Sequence, residues 1–247
     1  MLPSSNAAAA IRPGLGAPEP FAALNKIPIR DNGESLLDLR QHAEFAILAP
    51  RCLPYVRESV AVMLRSAQIA LGWKYRLIIG TALRTLDMQS RIYWRNYALL
   101  REEHPTWPAS ALRRTCNRSF APPDAAAPPG HCTGGAVDVG LTDFMGRRLD
   151  LAAPFQFWDG ARTFRDDLLP EAAHLRARLI EAMYGAGFTN CRDEWWHWSY
   201  GDSAWAVRVG YAAACYGPID PPADYTHIPV RRRPRFAAHR RRRRAWG

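Results

Sequence analysis

Apolar residues recur at helical spacing through residues 54–71, where Val56, Val60, Met63, Leu64, Ala67 and Leu71 share a face and charges occupy the other. That stripe predicts a helix laid on a core. Tyr75 to Ala82 is a β-rich run of strand length. Helical spacing returns over Leu86 to Glu103, with Leu86, Ile92, Tyr93, Tyr97 and Leu100 available for a core face, and again over Ala109 to Asn117. Phe120 to Gly130 is rich in Pro and Ala and reads as a loop. Ala136 to Leu141 reads as a short buried strand, and Asp143 to Gly146 as a hairpin turn leading into Arg148 to Ala152. Pro154 to Asp167 is loop-like, and Pro170 to Tyr184 is a helix with Pro170 and Glu171 suited to its first turn. Phe188 to Asn190 leads into a Trp-rich stretch, and Ser203 to Val209 closes the pattern as a short helix. Upstream, Asn25 to Leu39 is extended, with Asp31-Asn32-Gly33 as its turn signal. Helices and short strands mix without βαβ alternation, so the predicted class is α+β, a small sheet with flanking helices.

Composition divides the 247 residues into three parts. Residues 1–23 are rich in Ala, Pro and Gly and read as a disordered leader. They lack the basic start and sustained apolar core of an export signal, which favours the cytoplasm. Residues 24–230 carry the domain. Residues 231–247 hold nine arginines and no acid, the pattern of a disordered tail able to bind polyanions. The net charge of +10 belongs to that tail: without it, 24 basic residues face 23 acidic ones. Arginine pervades the chain, whose two lysines are Lys26 and Lys74, so nucleic acid is not the expected partner. Five cysteines without C-x-x-C spacing argue against a disulfide framework or a four-thiolate metal site. Cys132 and Cys191 flank the chemistry described next, where a thiol could compete as a ligand.

That chemistry lies in two stretches. Asp193 to Gly201 carries Glu194 and His197 among Trp195, Trp196 and Trp198. On a regular strand the two ionisable residues would face opposite sides, so they share a site only if the chain bends between them. Residues 128 to 139 carry His131 and Asp138, separated by Gly134 and Gly135, which permit a tight reversal. Asp138 falls inside an apolar strand, costly unless it is paired or bound to a metal. His131, Asp138 and His197 make a two-histidine, one-carboxylate set, the donors of a catalytic zinc with a fourth position open. Glu194 is then the general base, or alternatively a partner that orients a ligand histidine.

His-x₆-Asp followed by Glu-Trp-Trp-His resembles the D-alanyl-D-alanine dipeptidases, zinc peptidases that include vancomycin-resistance enzymes. Residues 27–39, Tyr55 to Val60, Ala182 to Phe188 and Ser199 to Asp202 are also similar to that family. The resemblance implies a hedgehog/DD-peptidase type of fold, with a small mixed or antiparallel sheet. It implies one Zn²⁺ per chain and the free dipeptide D-Ala-D-Ala as substrate. It also implies an arginine after a strand that stabilises the oxyanion, a position held here by Arg84. Thr81, Leu83 and Thr85 replace the family's usual acid, tyrosine and proline around it. Two other functions compete: a D,D- or L,D-carboxypeptidase acting on longer peptidoglycan stems, and a non-catalytic polyanion-binding protein on the same scaffold. The three tryptophans are expected to wall a small, dry pocket suited to a dipeptide.

Overall fold

The computed structural model describes residues 14–42, 44–47, 53–223 and 225. Its main sheet has five strands in the order β2-β4-β5-β7-β6, comprising Ala46–Ile47, Tyr75–Thr81, Ala136–Asp143, His197–Ser199 and Thr189–Asn190. β2 pairs parallel with β4 and the other neighbours pair antiparallel. A separate antiparallel ribbon joins β1 (Leu36–Asp38) to β3 (Tyr55–Arg57). The predicted α+β class holds.

Side-chain alternation divides the two faces of the main sheet. Leu77 and Ile79 of β4, Val137, Val139 and Leu141 of β5 and Trp198 of β7 join one buried cluster. Helices α2 (Glu58–Leu71) and α5 (Pro170–Gly185) complete that cluster with Val60, Leu64, Leu71, Leu179 and Met183. The intervening residues of β5 and β7, Asp138, His197 and Ser199, therefore face the other way. That second face is where the chemistry lies.

The helices keep close to their predicted limits because local signals fix their ends. α3 spans Leu86–Glu103, and the Thr85 side chain caps it by accepting from Met88 N at 3.1 Å. α4 spans Ala109–Cys116, α5 has Pro170 in its first turn, and α6 (Ser203–Val209) stops at Gly210, whose φ of 74° suits glycine. Tyr55–Arg57, predicted as part of the α2 stripe, is a strand instead. The core face expected of α3 also needs correction. Tyr93 is fully buried, but Leu86 is 45% exposed, because the helix packs at the edge against α4 rather than on the sheet.

The leader is corrected over residues 14–23. Asn190 N donates to Gly14 O and Arg192 N to Ala17 O, so this segment runs as a strap beside the Trp-rich turn. A short helix α1 (Phe21–Leu24) follows, and Glu19 pairs with the buried guanidinium of Arg208. Residues 1–13, the tail at 231–247 and Cys52 lie outside the described residues. Among the described residues, no helix is long and apolar enough to cross a membrane.

Arg57 is the hub beneath the second face. It is almost wholly buried, and its guanidinium donates to Thr133 O, Glu34 O and Gly217 O and pairs with Asp31 at 2.6 Å. One side chain thus ties the early extended segment, the His131 turn and the C-terminal segment together.

Candidate active site

The register of the sheet places Asp138 directly opposite His197. Directly opposed residues of an antiparallel pair project from one face with Cβ atoms about 5 Å apart. His131 reaches the same point from a 3₁₀ turn, Gly130–Thr133, that enters β5 through Gly134 and Gly135. Gly134 has φ 72°, and a Cβ on Gly135 would strike the Tyr200 carbonyl, so the reversal requires both glycines. Asp138 Oδ1 lies 3.2 Å from His131 Nε2 and 3.1 Å from His197 Nδ1. One possible ligand atom from each residue falls within 4.8 Å of the others, a group that could hold a metal ion.

The bend anticipated between Glu194 and His197 is present. His197 N donates to Glu194 O at 3.1 Å, and the buried Asn190 amide donates to the carbonyls of Glu194 at 3.1 Å and His197 at 2.7 Å. Glu194 and His197 consequently line the same cleft. Arg84 enters just beyond β4, where its amide donates to His131 O at 3.0 Å. Its guanidinium stands 3.7 Å from Asp138 Oδ2 and donates to Gln89 Oε1 at 3.2 Å. Gln89 is in turn fixed by donating to Ala121 O at 2.8 Å. Asn190 and Gln89 were not legible as site residues; a lone amide at a strand end or on a helix carries no motif.

Proton affinities follow from this crowding. Burial lowers the pKa of His131 to about 4, with the charge of Asp138 opposing, and its Nδ1 lies 2.9 Å from the Ala82 carbonyl. Burial alone would raise Asp138, but the two histidines set against it hold it well below the usual carboxylate range. Burial likewise opposes protonation of His197, yet the bond and charge of Asp138 raise its pKa overall. Burial lifts Glu194 to about 7, against the attraction of His197. Burial pushes Cys132 up to about 12 and raises Cys191 further, so neither offers a ready thiolate; the metal-binding group among the described residues contains no cysteine.

The tryptophans depart from expectation. Trp198 is fully buried in the main core, and Trp195 packs against Arg176. Of the three, Trp196 lines the cleft, stacked edgewise with Trp158. The cleft has a volume of about 1400 Å³ and runs from the His131 turn past α4, so it is roomier than the small pocket predicted. Trp198 alternates with His197 on β7 and so turns to the core, while Trp195 and Trp196 lie in the turn before that strand and part there.

A model of the D-Ala-D-Ala dipeptidase family, peptidase M15, matches residues 50–214, a span that contains all five candidate residues. The chain belongs to this family. It is accordingly a peptidase of the D-Ala-D-Ala type. The D-alanyl-D-alanine dipeptidase of Escherichia coli is 25% identical over 167 residues, covering 67% of this chain and 76% of that one. A D-alanyl-D-alanine dipeptidase of Synechocystis is 31% identical over 91 residues, 32% of this chain and 37% of that one. Among solved structures, the vancomycin-resistance D,D-pentapeptidase VanY in complex with Zn(II) has 16% identity and a TM-score of 0.43, covering 78% of this chain and 96% of that one. The D,D-dipeptidase VanXYg with a D-Ala-D-Ala phosphinate analogue has 18% identity and a TM-score of 0.40, covering 81% and 67%.

Proposed function

We propose that the chain hydrolyses the dipeptide D-Ala-D-Ala at a single zinc ion held by His131, Asp138 and His197. The observation that carries this reading is the meeting of acceptors around Asp138. With its Nδ1 proton directed to Ala82 O, neutral His131 presents a lone pair on Nε2 to an ionised carboxylate 3.2 Å away. Two acceptors at that distance repel unless a cation lies between them, and two imidazoles with one carboxylate suit zinc with a fourth position open. Bound there, zinc supplies a Lewis acid that lowers the pKa of water to about 7.

The chain's own groups do the rest. Glu194, ionised, takes the proton from the attacking water and returns it to the leaving amine, a role worth about 10²–10⁴-fold. Its raised proton affinity suits a group that must both accept and release a proton near neutral pH. Arg84, steadied by Gln89, holds a fixed positive charge toward the substrate carbonyl as it becomes an oxyanion. The matched family model and the curated dipeptidases support the dipeptide as substrate.

The open cleft favours a second reading, carboxypeptidase action on longer stem peptides ending in D-Ala-D-Ala. Metal analysis and a competition assay test both. The proposal expects one zinc per chain, loss of zinc in His197→Ala, and a kcat/KM at least about tenfold higher for the free dipeptide, a gap of about 1.4 kcal/mol. Full zinc content in His197→Ala removes the ligand assignment. Comparable rates on the two substrates select the carboxypeptidase instead.

A further inference from the structure

Each ligand histidine has a second ring nitrogen, and the two are supported differently. His131 Nδ1 meets a backbone carbonyl, that of Ala82. His197 Nε2 instead faces a side chain, the Ser199 hydroxyl, 3.4 Å away. Ser199 lies two residues further along β7, on the same face, and is completely buried. Asp202, three residues further along the chain, is 1% exposed. One oxygen of that carboxylate caps α6 by accepting from Trp205 N at 2.7 Å. The other, Oδ2, is buried and makes no well-formed hydrogen bond among the described residues.

A cap requires only one oxygen and no charge, since Asn and Ser cap as well as Asp. A turn therefore does not account for a buried carboxylate with a spare oxygen. The electrostatics point inward: burial raises its pKa, and the Trp205 amide, the charge of His197 and the Ser199 hydroxyl pull it back. Oδ2 also abuts Gly130, where a Cβ would collide with it. One carboxylate thus touches the turn that carries His131 and acts on the ring of His197.

Resting on the zinc reading above, we propose that Ser199 and Asp202 are positioning residues that hold His197 for the metal. Asp202 polarises the Ser199 hydroxyl, whose oxygen accepts a hydrogen bond from the Nε2–H of His197. The tautomer with Nδ1 free toward Asp138 is then the stable one. Partners of this kind, one step behind a metal ligand, typically contribute 10–100-fold in metal affinity.

The test is zinc affinity by competition with a chromophoric chelator, paired with the visible spectrum of the Co(II)-substituted protein. Asp202→Asn keeps the helix cap and the volume but removes the charge. It is expected to keep its secondary structure by circular dichroism, bind zinc about 10–100-fold more weakly and shift the Co(II) bands. Ser199→Ala should do the same, and the double variant should be no weaker than the worse single, since the two act in series. Should Asp202→Asn fail to fold, Ser199→Ala carries the decision by the same criteria. Wild-type zinc affinity and an unshifted spectrum in the folded variants overturn the proposal while leaving the zinc site intact. A wild-type protein that binds no zinc overturns the site and this inference together.

Discussion

Replacing Glu194 by Gln separates the cost of the base from its use. The backbone of the turn is held by the Glu194 carbonyl, which accepts from His197 N and Asn190 Nδ2, so the side chain can change without releasing the bend. In the zinc-free protein the carboxyl titrates at about 7 rather than 4.5. The sign follows from the acid being harder to ionise when folded. Below pH 4.5 the group is protonated in both states; between 4.5 and 7 only the unfolded chain ionises it, and stability drains away. The full loss above pH 7 corresponds to about 3 kcal/mol. Gln carries no such penalty. The chelated Glu194→Gln protein should therefore gain on wild type by roughly that amount as pH rises from 5 to 8, measured by urea denaturation. With zinc restored, the same variant should keep one metal per chain yet lose about 10²–10⁴-fold in kcat, about 3–5 kcal/mol of barrier. Wild-type activity should fall as pH drops through the carboxylate's pKa, which the ion's charge brings below 7. A stability difference that does not change with pH, or loss of zinc from the variant, would refute the reasoning.

Two further outcomes are expected. Arg84→Ala should retain zinc and lose several kcal/mol of transition-state stabilisation, read as a fall in kcat/KM; an unchanged value removes the residue from the site. Deleting residues 1–20 takes away Glu19, the carboxylate paired with the buried Arg208, and leaves that guanidinium its hydrogen bond to the Thr189 hydroxyl. Burial already lowers that guanidinium's pKa to about 9, and stripping one partner from a buried pair costs about 3–5 kcal/mol, so the trimmed protein should melt markedly earlier. An unchanged melting temperature would show that the strap is dispensable.

Much of this arrangement was legible because local rules coincide with the tertiary ones. α3 runs from Leu86 to Glu103 as its spacing and the Thr85 cap dictate. The apolar run Ala136 to Leu141 marked both a strand and the oddity of Asp138 within it. A shared site for Glu194 and His197 demands a bend, and the structure meets that demand through Asn190, whose three carbonyl partners lie close in sequence but carry no pattern of their own. What stayed hidden depended on long-range contact. The strap at residues 14–17 looked disordered because Gly, Ala and Pro bury little surface, yet its backbone completes hydrogen bonds beside the turn. Periodicity marked a stripe on α3 but could not show that α4, rather than the sheet, covers it. The tryptophans misled for a related reason: aromatic content signals burial, and Trp198 is buried beneath the sheet rather than beside the substrate.

The pairing of Asp138 with His197 has a mechanical side. β5 and β7 are joined along three residue pairs, and these two ligands, 59 positions apart in the chain, occupy one of them. An ion bound there acts as a removable rivet across a short seam. Sliding the strands by a single position would turn one ligand to the opposite face, so the ion also penalises every misaligned pairing. Amide protons of β6 and β7 should then exchange slowly in the metal-loaded protein and faster after chelation, while those of α2 and α5, on the far side of the sheet, change little.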